Sequence, residues 1–189
     1  LQASSPGIAT QAEDLIAGGV EEFIHVGLAG GINPELNIGD VILTDGAYND
    51  TAVARLYGFD YDFIKTTSSL TDEMEQILKT KKLHINRGKH WTTDAGYHET
   101  WEQILNYRSK RALCVEMEGA GLFTIALYRL CLFLFFYSFI NCFTEFLCLF
   151  LKDFSDWMTV VPLFCMYRVN DDTFTAIKDR HAADVLSRS

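Results

Sequence analysis

A single α/β domain, with a mostly parallel mixed central sheet flanked by helices, is the fold class this sequence predicts. Three observations carry that expectation. A capped helix runs directly into a short apolar segment ending in glycines, Glu22-Phe23-Ile24-His25-Val26-Gly27-Leu28-Ala29-Gly30-Gly31, which is how strands buried on both faces read. A second apolar run, Val41-Ile42-Leu43-Thr44, follows the turn Asn37-Ile38-Gly39-Asp40. Farther on, Ala112-Leu113-Cys114-Val115 reads as a strand that leads into an apolar helix. Helix and strand alternate as an α/β sheet requires, and 189 residues, 49% of them apolar, suffice for one sizeable core but not for two domains.

Each element has a local reason. Ser5-Pro6 gives a capping hydroxyl and a proline at the first helical position, and Gly18-Gly19 stops the helix that follows. After Val41–Thr44 the chain reads as a polar loop through Asp50 and Arg55. From Leu70 to Lys82 the apolar residues Leu70, Met74, Ile77 and Leu78 recur at helical spacing among charges, predicting an amphipathic surface helix. Leu83–Gly88 reads as a strand and turn, Trp91–Asp94 as a strand end, Trp101–Arg111 as a helix, and Gly121–Arg129 as an apolar helix.

Charge and cysteine usage exclude several function classes. The net charge is -9, and no basic cluster is larger than Lys79, Lys81 and Lys82, so nucleic-acid binding by bulk charge is disfavoured and a small ligand is expected. Five cysteines, at 114, 131, 142, 148 and 165, form no CxxC pair or framework spacing, which fits a reducing, cytoplasmic setting. The histidines at 25, 84, 90, 98 and 181 show no HxxxH or HExxH spacing, so neither a metal nor another cofactor is implied. The start, Leu1-Gln2-Ala3-Ser4-Ser5, has neither an initiator Met nor the pattern of a signal peptide; the domain is read as N-terminally incomplete.

One segment departs from the pattern. Between Leu130 and Leu151 lie seven of the fourteen phenylalanines, and Glu145 is the single charge. The stretch is long enough to span a bilayer, but the enzyme-like pattern on both sides argues against a membrane helix. The expectation is an atypical hydrophobic interruption at about 130–164, either leaving the domain as an apolar helical excursion or preventing the final strand from docking.

The chemistry-bearing motif is Cys114-Val115-Glu116-Met117-Glu118-Gly119-Ala120-Gly121. Two acids one residue apart share a face in a strand but splay apart in a helix, so at a strand-to-helix junction one can face a ligand while the other supports it. An acidic helix start favoured by the helix dipole is the alternative.

Together with FIHVGLAGGINPELNIGDVILTDGAYND at 23–50, TTDAGY at 92–97 and YRVNDDTF at 167–174, this motif resembles the nucleoside phosphorylase and nucleosidase superfamily, the trimeric and hexameric purine nucleoside and uridine phosphorylases. The resemblance implies a phosphorylase-like domain over 1–189 that cleaves the N-glycosidic bond of a nucleoside with phosphate, giving free base and ribose 1-phosphate, with purine favoured. It implies that Glu118 accepts hydrogen bonds from the ribose hydroxyls, that Met117 packs on the sugar and that Glu116 lines the same pocket. By the same resemblance Gly27 and Gly30 lie beside base and phosphate, Tyr97 lies near base and sugar, and Asp171 protonates the leaving base. The family's phosphate-binding Arg position holds His25 here, and the Ser or Thr after the glycine is Leu28, which weakens phosphate binding because an imidazole is no forked permanent cation. The alternatives are a nucleosidase that uses water, or an inactive or truncated relative. A homo-oligomer is implied, with the polar 50–55 loop at its contacts, and neither nucleic acid nor membrane is an expected partner.

Overall fold

The computed structural model describes residues 4–130 and the backbone of three further strands at 132–138, 159–160 and 165–169. Helix α1 (Ser5–Ala17) is followed by β1 (Val20–Gly27), the two-residue β2 (Gly30–Gly31) and β3 (Val41–Asp50). Next come α2 (Val53–Leu56), β4 (Phe63–Lys65), α3 (Ser68–Thr80), β5 (Ile85–Thr93), a 3-10 turn at Gly96–His98 and α4 (Trp101–Ser109). The chain then forms β6 (Ala112–Glu116), α5 (Gly119–Arg129), β7 (Leu132–Ser138), β8 (Thr159–Val160) and β9 (Cys165–Val169).

The nine described strands join one mixed sheet in the order β2-β6-β5-β3-β7-β1-β9-β8, with β4 beside β3. Three ladders are parallel, β3 with β5 from Val41↔Ile85 to Asp50↔Thr93, β1 with β7, and β5 with β6, while β9 pairs antiparallel with β1. Five strand spacings separate β1 from β2 along this path, about 24 Å in a flat sheet. Yet Gly27 and Gly30 are three residues apart, a reach of about 11 Å at most. The sheet therefore curls strongly without closing, and β1 and β6 approach each other across the curl.

Helices cover both faces. Ile8, Ala12, Leu122, Phe123 and Ile125 of α1 and α5 pack with Phe23, Ile42 and Cys114 of the sheet, and α3 packs Met74 and Leu78 on Ile24, Val26, Val41 and Leu43. A third cluster joins Ile32, Trp91 and Val115 with Ile104 and Tyr107 of α4, where the Trp91 and Tyr107 rings stack 4.4 Å apart. Since successive strand residues face opposite sides, alternate positions feed different clusters.

Several local expectations are corrected. The N-cap of α1 is Ser4, whose hydroxyl accepts from the Gly7 amide at 3.3 Å, while Ser5 opens the helix and donates to the Met117 carbonyl at 3.0 Å. The predicted polar loop through Asp50 is the second half of β3, because pairing with β4 and β5 satisfies its backbone and buries Ala47. Gly88 marks no turn; it lies inside β5, where a Cβ would come within 2.8 Å of Leu113 Cδ1.

The largest correction concerns the hydrophobic interruption. Its first part does not leave the domain as a helix. The backbone of 132–138 is a central strand, parallel to β1 from Glu22↔Leu132 to Gly27↔Tyr137 and antiparallel to β3 at Val41↔Ser138. A strand buried within a sheet reads as a nearly continuous apolar run, which is why it imitates a greasy helix in sequence. The last described strand, β9, docks antiparallel on β1. Among the described residues no helix is long and apolar enough to cross a membrane; the remainder of the interruption, at 139–158 and 161–164, lies outside them.

Candidate active site

The two acids sit at the junction of β6 and α5, and the structure divides them. Glu116 ends β6 with its side chain buried, whereas Glu118, the first residue before α5, is part-buried. One oxygen of Glu116, Oε2, accepts from the Glu118 amide at 2.7 Å and the Gly119 amide at 2.8 Å. The other, Oε1, accepts from the Thr92 hydroxyl and lies 3.2 Å from His90 Nε2. Thr92 Oγ1 in turn accepts from the Ala120 amide at 2.9 Å, and His90 Nδ1 lies 2.9 Å from Thr44 Oγ1. A buried polar row, Thr44, His90, Thr92 and Glu116, thus runs across β3, β5 and β6 beneath the start of α5.

This row explains the Gly-Ala-Gly that follows the acids. A Cβ on Gly119 would lie 2.2 Å from His90 Nε2, and one on Gly121 would lie 2.7 Å from Ser5 Cβ. The first glycine lets α5 sit on the histidine; the second lets α1 and α5 touch.

The electrostatics separate the acids further. Burial alone would raise the Glu116 pKa, but the neighbouring His90, the Thr92 hydroxyl and the backbone amides hold it below the usual carboxylate range, near 2. Glu118 is pushed up to about 7, first by burial and then by the nearby Glu116 charge. His25, buried on β1, is lowered to about 4, chiefly by desolvation, with Glu116 opposing the shift and His90 adding to it. The curl of the sheet is what brings these groups from β1, β5 and β6 into mutual range.

Other predicted site residues gather around this junction. Gly30 pairs with Val115, so the glycine-rich turn after Gly27 lands beside the end of β6. Gly96 lies against Met117, with its Cβ position 3.2 Å from Sδ. The next residue, Tyr97, projects fully exposed beside that contact. Asp171 lies outside the described residues. Thr92 and Thr44 lie within the 92–97 and 23–50 stretches but take no role from the resemblance there, and His90 lies in neither; the signal that could have found the row is the period-2 spacing of His90 and Thr92 on a strand whose other face holds Trp91. Among the described residues no group of three His, Cys, Asp or Glu side chains could hold a metal ion.

The two carboxylates stand over a buried polar row where a parallel strand hands over to a helix, the end of an open α/β sheet at which ligands generally bind. Residues 4–136 match the family described as the phosphorylase superfamily, and the chain belongs to it. It is 31% identical over 125 residues to the DeoD-type purine nucleoside phosphorylase of Exiguobacterium sibiricum, covering 64% of this chain and 52% of that one. The corresponding enzyme of Oceanobacillus iheyensis is 33% identical over 125 residues, with 64% and 53% covered. The chain spans about half the length of the curated relatives it matches. In fold it is similar to a futalosine hydrolase mutant of Helicobacter pylori, with a TM-score of 0.69 and 20% identity over 82% of this chain and 74% of that one.

Proposed function

We propose that this chain acts on nucleosides, purine nucleosides in the first place, by phosphorolysis of the N-glycosidic bond. The bond between the anomeric carbon and the base nitrogen breaks with its electron pair going to the base, which takes up a proton. A phosphate oxygen bonds to the anomeric carbon, giving ribose 1-phosphate. The observation that carries this reading is the division of labour between the acids: Glu116 is held by four neighbours, whereas part-buried Glu118 accepts from the Met117 amide with one oxygen, at 3.4 Å. A carboxylate with free lone pairs suits a sugar diol, since it accepts from both hydroxyls. In this reading Met117 packs on the sugar, Tyr97 lies near base and sugar, Gly27 and Gly30 lie beside base and phosphate, and Asp171 supplies the proton to the base. The likeness to purine nucleoside phosphorylases at about 30% identity supports it.

Hydrolysis is the second reading, and His25 favours it. With its pKa lowered to about 4 by burial, His25 is neutral near pH 7 and offers phosphate no cation. The deciding experiment follows base release from inosine, adenosine and uridine with and without phosphate, identifying ribose or ribose 1-phosphate. Phosphate-dependent ribose 1-phosphate supports phosphorolysis; phosphate-independent ribose supports water as acceptor; no release from any nucleoside sinks both in favour of an inactive relative.

A further inference from the structure

His90 and Thr92, neighbours on one face of β5, both reach the buried carboxylate of Glu116. Thr92 uses its hydroxyl twice, donating to Glu116 and accepting from the Ala120 amide in the first turn of α5. His90 reaches Glu116 with one ring nitrogen and Thr44 with the other, and the Thr44 hydroxyl accepts from the Gly46 amide at 3.1 Å in the β3 bulge. Both His90 and Thr92 are fully buried. On its other side Glu116 holds the two amides that shape residues 117–119. We infer that His90 and Thr92 are positioning residues: from the neighbouring strand they fix one oxygen of Glu116, so that the other clamps the turn that presents Glu118.

The chemistry favours a clamp over generic packing. A buried carboxylate is costly unless its lone pairs are filled, and here one oxygen faces side chains of β5 while the other faces backbone of the 118–119 turn. Removing the β5 partners frees the carboxylate to rotate, and the turn loses its anchor. Gly119 leaves no slack, because its backbone already sits against the His90 ring.

The inference rests on reading Glu118 as the sugar acceptor, and the test separates the two. In the full chain, Thr92→Val removes the hydroxyl at constant shape and Thr92→Ser keeps it. Amide hydrogen exchange at Glu118 and Gly119 is compared with exchange in the β3–β5 ladder, and kcat/KM for a ribonucleoside with that for its 2′,3′-dideoxy analogue. Thr92→Val is expected to accelerate exchange at 118 and 119 roughly tenfold relative to the ladder and to erase the preference for the ribonucleoside; Thr92→Ser is expected to retain both. Unchanged exchange at 118 and 119 in Thr92→Val overturns the clamp. Faster exchange with an intact ribonucleoside preference also overturns it, since the turn would then not govern Glu118. If the unaltered chain turns over neither nucleoside, the functional reading fails, and the exchange comparison alone decides whether Glu116 is held from β5.

Discussion

Burial and the Glu116 charge push the Glu118 pKa to about 7, which opposes its proposed role as a diol acceptor. An acceptor for a diol must be ionised, so kcat/KM is expected to rise with pH through about 7 and to level off above it. A flat profile between pH 6 and 8 would contradict that role. The linked stability has the opposite sense. Between the ordinary value of 4.5 and about 7 the folded chain binds more protons at Glu118 than the unfolded chain does, so this group's contribution falls as pH rises and its penalty is complete above 7. Glu118→Gln should therefore lower turnover by about 100-fold or more while leaving Tm at pH 8 unchanged or a few degrees higher. A drop in Tm matching the loss of activity would mean that Glu118 serves the fold instead. At Gly119 the expectation is reversed: Gly119→Ala drives a methyl into a buried imidazole 2.2 Å away and should cost about 1–3 kcal/mol in urea unfolding.

Among the elements, α1 and α5 form the seam that roofs the site. Ser5 touches Gly121 through backbone and side chain and donates to the Met117 carbonyl, so the start of one helix is tied to the turn before the other. Gly121→Ala should separate the helices and lower both stability, by about 1–3 kcal/mol, and affinity for nucleoside, as measured by calorimetry. Ser5→Ala removes only one hydrogen bond and should cost about 1 kcal/mol. If the two substitutions weakened binding equally, the close helix contact would not be what sets the turn. The roles of Ser4 and Ser5 show the limit of reading caps from sequence: either serine suits an N-cap before Pro6, and the tertiary bond to Met117 assigns them.

For the molecule as a whole, β7 decides whether the sheet is one piece. Among the described strands it alone joins β1 and β9 to the β3-β5-β6 half in the hydrogen-bonded path. Replacing residues 131–158 with a short polar turn should therefore abolish the cooperative thermal transition, although the apolar run reads as an interruption in the sequence. Phe135→Pro should do the same at a single position, because proline in a central strand removes a ladder donor and clashes with its neighbour. A well-folded, monodisperse product from either change would overturn the placement of β7.

Local features of this fold were legible in the chain. The periodicity of α3, the apolar runs of β1, β3 and β6, and the glycine stops announce themselves within a dozen residues, because propensity and pattern act over that range. The strand-to-helix placement of the acid pair was legible for the same reason, as was the expectation that one acid supports the other. Nonlocal features were not. That 132–138 pairs between β1 and β3, that the sheet curls enough to bring His25 near Glu116, and that His90 and Thr92 hold Glu116 all depend on contacts between residues tens of positions apart. Hydrophobic periodicity says that a strand is buried but not which strands bury it. A polar residue in an apolar run likewise shows no partner until the fold supplies one, and here that partner fixes which of two neighbouring carboxylates is locked.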